Sequence, residues 1–342
     1  MNPTKESEAA PKAFVVLSNS TSRAMIPYKL YEEGLEQGAL ELGHHLYLLT
    51  LGPKVTVLDV QRDETGSRWI LKIEAHNDGT RKALRLKVPA SLLPAGEVRV
   101  ERGVLCVDTQ TGVIKLTAVE IARLMLEQEM RRTRYRGVPH HRRSYPDWVF
   151  LLLRSLFHYQ VVYVGKAHGI KIEHSAVKRL TDGHEHLQKV ALEILAYYPD
   201  SDLGVILLDT EVDEQVMHIN LRKQSVEAVA RVSASVMGGL EGGLADKHVA
   251  IGAAEALLIR YFEPTENTRL KEFPEKDAPA LVKQLRDAGL THLGIKIDLT
   301  DSFAVIEDPF THESRTAQNF AVNLATSERE ALDLIPGLPF LQ

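Results

Sequence analysis

Residues 160–167 read Gln160-Val161-Val162-Tyr163-Val164-Gly165-Lys166-Ala167. A run of β-branched and aromatic residues that ends on a glycine and a cation has the pattern of a buried strand opening into a turn. Upstream, 148–153 (Trp148-Val149-Phe150-Leu151-Leu152-Leu153) is the longest apolar run in the chain, and its length suits a second strand. Downstream, 175–180 and 187–197 carry apolar residues at helical spacing, 203–208 reads as a strand and 226–237 as a weak helix. The glycine-rich 238–243 predicts a flexible loop, and 249–262 an apolar helix. Strands at 293–297 and 303–306 and a last helix near 327–334 complete this part. Strands interspersed with helices predict an α/β (α+β) domain with a small mixed sheet flanked by helices.

The N-terminal third has a different pattern. After a short apolar run at 13–17 and a helical stretch near 28–42, strand-like runs recur at 46–51, 55–60, 69–73, 84–88, 98–100, 104–107 and 112–116. Turn signals separate them at Gly52-Pro53, Asn77-Asp78-Gly79, Pro94-Ala95-Gly96 and Thr111-Gly112. Short strands at this spacing predict a β-rich module, a small barrel or sandwich. Thr117 with Glu120 three residues on has capping-box spacing, and a helix should continue to about Arg134. Gly137, Pro139 and Pro146 then break regular structure. The expected organisation is a β-rich module at 1–116, a helix and basic linker at 117–147, and a second domain with a C-terminal extension at 148–342.

Composition narrows the function classes. The 342 residues suffice for a sizeable core, and 44% hydrophobic with 25% charged residues is the balance of an ordinary globular protein. No stretch is long and apolar enough for a membrane-spanning helix, and 1–12 lacks the apolar segment of a secretory signal. The single cysteine, Cys106, cannot form an internal disulfide and lies in an apolar run, which suits a buried small side chain and a reducing, cytoplasmic setting. A net charge of −5 means that any nucleic-acid binding must come from a local patch. One exists: Arg131, Arg132, Arg134, Arg136, Arg142 and Arg143 fall within 13 residues with no acid among them. It reads either as a solvated helix end with a basic linker or as a phosphate-contacting surface, to which guanidinium forks are suited.

The residues able to carry chemistry are Tyr163, Lys166, Arg179, His184, Glu255 and Asn267. Glu255 is the only charged residue from Val249 to Ile259, a run that should be mostly buried, and a buried carboxylate needs a partner or a cation. Taken in order, Tyr163-Val164-Gly165-Lys166, Arg179-Leu180, His184, Glu255 and Asn267 resemble the GIY-YIG endonucleases, in particular the nuclease domain of the excision-repair subunit that cuts 3′ to DNA damage. The likeness covers about 148–270. The first signature motif is not matched cleanly: Phe150 would stand where that family has a tyrosine. The resemblance implies a metal-dependent phosphodiester hydrolase acting on DNA, with Mg²⁺ or Mn²⁺ as cofactor and Glu255 as metal ligand. It further implies Tyr163 as proton acceptor, with His184 as second choice. Arg179, assisted by Lys166, would hold the phosphate, and Asn267 would orient the site. A hard cation and a hard-oxygen carboxylate are matched, and a charge on the phosphate helps where negative charge develops.

Other motifs are incomplete. Val164-Gly165-Lys166-Ala167 lacks the remaining elements of a phosphate loop. His184-Glu185-His186 has the wrong spacing for two zinc ligands on a helix. The acidic Asp209, Glu211, Asp213 and Glu214 read as a solvated loop. Two rivals to the nuclease stay open: a nucleic-acid-binding protein that kept the fold without cleavage, and a partner-activated subunit of a repair or phage-defence complex.

Overall fold

The computed structural model describes residues 14–18, 22–27, 45–77, 79–134, 145–166, 185–208, 247–274, 279–287, 290–309, 312–324 and 329–331. The fold is a strand-rich mixed α/β architecture. Its strands are β1 (Phe14–Ser18), β2 (Ser22–Pro27), β3 (Leu46–Arg62), β4 (Arg68–Asn77), β5 (Thr80–Pro89), β6 (Glu97–Glu101), β7 (Val104–Thr109) and β8 (Gly112–Leu116). After helices α1 (Ala118–Arg134) and α2 (Asp147–Leu156) come β9 (His158–Lys166), helix α3 (Glu185–Tyr197) and β10 (Ser201–Leu208). Helices α4 (Lys247–Phe262) and α5 (Pro279–Asp287) precede β11 (His292–Asp298), β12 (Val305–Glu307), β13 (Ser314–Arg315), β14 (Ala317–Asn323) and β15 (Arg329–Ala331). No helix among the described residues is long and apolar enough to cross a membrane.

The 17-residue β3 organises the molecule. Its first half lies between β9 and β10, antiparallel to both, and its second half pairs with β4, which pairs with β5. The sheet continues outward through β12 and β13 on one side and β2 on the other. Two smaller sheets accompany it, β1-β11-β14-β15 and β6-β7-β8.

Gly52-Pro53 is therefore inside a strand and not the expected turn. The reason is local. Pairing with β9 ends at Leu51↔Gln160, pairing with β10 ends at Pro53↔Ser201, and pairing with β4 begins at Lys54↔His76. The proline, which has no N–H to give to a ladder, falls where β3 passes from one set of neighbours to the next. Gly52 is needed because the Tyr159 ring lies where a Cβ would project.

Residues 148–153 are also not a strand. They belong to α2, with Val149, Leu152, Leu153 and Leu156 buried at helical spacing and Leu151 and Arg154 exposed. Pro146 at the N-cap and Asp147 in the first turn suit a helix start. A short apolar run alone does not separate the two readings. Likewise 329–331 pairs with β14 as a strand, so the helix expected near 327–334 gives way to edge pairing. In the expected strand at 303–306, Phe303 has a left-handed backbone (φ 58°) and only Val305–Glu307 is extended.

The capping box forms as read. Thr117 N–H donates to the Glu120 carboxylate at 2.7 Å, and Glu120 N–H donates to Thr117 Oγ1 at 3.2 Å. Cys106 is fully buried.

The expected division at 117–147 does not coincide with a break between sheets. β3 from the first part pairs with β9 and β10 from the second, and β1 pairs with β11. The core is likewise continuous: Val57, Leu71, Ile73 and Val107 belong to the same buried cluster as Leu152, Leu257 and Phe320. A second cluster, built from Tyr47, Leu49, Val162, Ile194 and Leu207, fills the opposite face of β9-β3-β10 beneath α3.

Candidate active site

β9 is held on three sides. β3 lies along one edge, α4 packs on one face and the second apolar cluster on the other. Along the outer edge β12 reaches only His158 and Tyr159. Beyond it the segment after α4 takes over the edge. Glu266 N–H donates to the Val162 carbonyl at 3.1 Å. Asn267 Oδ1 accepts from Val164 N–H at 2.8 Å, and its Nδ2 donates to the Val164 carbonyl at 2.9 Å. Asn267 is buried, so a side-chain amide completes a ladder where no strand is available.

Side chains alternate along a strand, and this separates the candidate residues. Val164 and Lys166 point toward α4. There the Lys166 ammonium meets the Glu255 carboxylate at 2.8 Å, with side-chain exposures of 37% and 13%. Glu255 sits among the buried Ala253, Ala254 and Ala256, small residues that let the helix approach the strand. Tyr163 and Gly165 point the other way. The Tyr163 ring packs 6.0 Å from that of Tyr47, tilted by 34°. Tyr47 lies directly across from Gly165, and its ring occupies the space a Cβ at 165 would need.

The structure thus brings Lys166, Glu255 and Asn267 together at one end of β9 and sets Tyr163 on the far face of the sheet. Arg179 and His184 lie outside the described residues. Phe150, expected on a neighbouring strand, is on α2 and half-buried. The strand that lies against β9 is β3.

Comparison with protein families, curated proteins and solved structures yields no match. The chemistry must be argued from the residues themselves.

Glu255 is the candidate metal ligand. Among the described residues no group of three or more His, Cys, Asp or Glu is placed to hold a metal. One carboxylate does not make a closed cage, but it fits a hard divalent cation that keeps most of its water, as Mg²⁺ does. One oxygen of Glu255 is engaged by Lys166, and the other has no hydrogen bond with a described residue.

Of the arginine patch, Arg131 and Arg132 lie near the end of α1, 76% and 65% exposed, and Arg134 is its last residue. Arg131 pairs with Glu127 and Arg132 with the largely covered Glu129, each at 3.7 Å within the helix, and the exposed Arg131 pair is weak. Arg136, Arg142 and Arg143 lie outside the described residues. Sequence reasoning missed the cations of β5. The signal was present: Arg81, Lys82, Arg85 and Lys87 fall within seven residues with no acid among them, and Arg85 and Lys87 alternate along one side of the strand.

Proposed function

We propose that this chain is a metal-dependent endonuclease that hydrolyses DNA phosphodiester bonds, a divergent GIY-YIG-like enzyme whose site lies where β9 meets α4. One observation carries the reading: Lys166, Glu255 and Asn267, far apart in sequence, converge at one end of β9. The reading also draws on the three central strands β9-β3-β10 of the larger sheet, which have α4 over one face and α3 over the other.

In the proposed reaction a water oxygen bonds to phosphorus, one P–O ester bond breaks, and the departing oxygen takes a proton. Glu255 would hold a divalent cation by the oxygen that Lys166 leaves open, and the cation, Mg²⁺ or Mn²⁺, would supply Lewis-acid polarisation of the phosphate. Lys166 keeps the carboxylate aimed and adds positive charge beside it. Arg179 neutralises the phosphate, and His184 accepts the proton of the attacking water at a ring nitrogen. The proton acceptor is assigned to His184 and not to Tyr163, because Tyr163 lies on the other face of the sheet from Glu255. Asn267 is a positioning residue that acts through the backbone of Val164.

The test is nicking of supercoiled plasmid with Mg²⁺ or Mn²⁺ by the purified chain beside Glu255→Gln. Nicking that the variant loses while keeping its melting temperature supports the nuclease. Equal nicking by both proteins, or none by either, counts against it. A second reading, a nucleic-acid-binding protein without catalysis, is favoured by the Lys166 ammonium itself, which already neutralises the carboxylate. DNA binding by both proteins without cleavage would select it.

A further inference from the structure

Between β5, which pairs with β4 alone among the described strands, and the α1–α2 corner runs a groove of about 420 Å³. Arg68, Arg85 and Lys87 line its sheet wall, and Arg132, Trp148 and Leu151 its helical wall. Four cations and one carboxylate, Glu129, line it, and Glu129 already pairs with Arg132; the buried Leu86 turns inward between Arg85 and Lys87, so these two border the groove from the outer face of the strand. None of Arg68, Arg85 and Lys87 makes an ion pair with a described residue. All three are exposed. Arg85 and Lys87, two positions apart on a strand, are about 6.6 Å from one another along it, a spacing comparable to that of successive phosphates in an extended chain. Trp148 is only partly covered, and Leu151 beside it is 45% exposed, an apolar surface on the helical wall.

We propose that this groove binds a single-stranded nucleic acid, with its phosphates along Arg68, Arg85, Lys87 and Arg132 and a base against Trp148. Cations that follow a backbone, with an aromatic ring beside them, are the recognition chemistry of a strand whose bases are free to stack. Three of the four cations are arginines, whose planar forks match phosphate oxygens. An acidic polypeptide adding as a strand to β5 would be held by main-chain hydrogen bonds. It would have no use for a cation and an indole on the helical wall. The proposal does not depend on catalysis, and its test is run without metal, so its failure and that of the nuclease are read separately.

The test is fluorescence anisotropy of a labelled oligothymidylate of about 12 nucleotides, within the ~4–16 that such sites span, on the full chain in excess chelator. Binding should weaken with salt on a log–log slope of about −3, as four neutralised phosphates of a single strand require. Arg85→Glu should weaken it at least about tenfold. Lys189→Glu, with the same change in charge on an α3 side chain that is 71% exposed, should leave it within about twofold. Trp148→Leu should weaken it at least about fivefold at unchanged melting temperature. Equal losses from Arg85→Glu and Lys189→Glu would overturn the proposal, since the attraction would then be general charge. So would tighter binding of a duplex of the same length, displacement by a polyglutamate peptide at equal charge concentration, or no binding.

Discussion

Asn267 grips Val164 by both ends of its amide, one hydrogen bond to the N–H and one to the carbonyl. Both bonds are buried, so removing the side chain leaves two main-chain groups without partners. Asn267→Ala should cost about 2–4 kcal/mol of stability in urea unfolding. Asn267→Asp should not restore it, because a carboxylate accepts from the N–H but cannot donate to the carbonyl. Loss of under about 0.5 kcal/mol in the alanine variant would mean that β9 does not need this clamp.

Gly165 has a comparably narrow tolerance. A Cβ there would collide with the phenol end of Tyr47 and lie 2.8 Å from the Tyr163 ring. Gly165→Ala should destabilise by about 1–3 kcal/mol, as overpacked sites do. In a double-mutant cycle, Tyr47→Leu should recover at least about 1 kcal/mol of that loss. Additive effects would show that the ring yields without cost.

Alkaline pH should weaken the fold. Burial raises the Tyr159 phenol above its usual 10, with nearby Arg123 opposing and Asp202 reinforcing the shift. Burial also raises Tyr261, with Asp308 adding to it. Above about pH 10 the unfolded chain releases these protons while the folded chain retains them, so stability is full below that pH and falls as pH rises beyond it. Urea midpoints should be flat to about pH 9 and decline beyond about pH 10, with a shallower decline in Tyr159→Phe. A flat profile to about pH 11 would rule the linkage out.

The segment 148–342 expressed alone should not unfold cooperatively. Without β3, β9 and β10 lose the strand that lies between them, and two buried clusters are opened. The full chain should give one main denaturant transition by near-ultraviolet circular dichroism. A sharp transition in the isolated fragment would support the division expected from the sequence.

Much of the element order was legible in the sequence: β9, α1, α3, α4 and most strands of the N-terminal third follow from periodicity and turn residues, though β2 was not expected. The capping box followed from Thr117 and Glu120 alone. What misled was tertiary in origin. Gly52-Pro53 is a turn signal unless neighbouring strands change at that point, and nothing local reveals that they do. Trp148 to Leu153 is apolar enough for either element, and only the later Leu156 and the preceding Pro146-Asp147 favour a helix. For the site, Lys166, Glu255 and Asn267, all named from the sequence, lie at the same end of β9. The placement of Tyr163 on the opposite face could have been read from strand alternation, since Tyr163 and Lys166 are three apart. The groove beside β5 was half legible: the basic run from Arg81 to Lys87 marks one wall, but the other comes from α1 and α2, distant in sequence.

The length of β3 bears on how the chain is made. Leu46 to Leu51 are all buried, and both neighbours of that half arrive later, as residues 158–166 and 201–208. At ~5–20 residues per second, the roughly 100 residues before the first of them, β9, take about 5–20 s to synthesise. The second half of β3 can form its meander with β4 and β5 almost at once. On the ribosome, then, one strand is half folded while its other half, the more apolar one, waits unaccompanied. That interval is when the nascent chain is most exposed to aggregation, and Leu46 to Leu51 is the segment for a chaperone to cover.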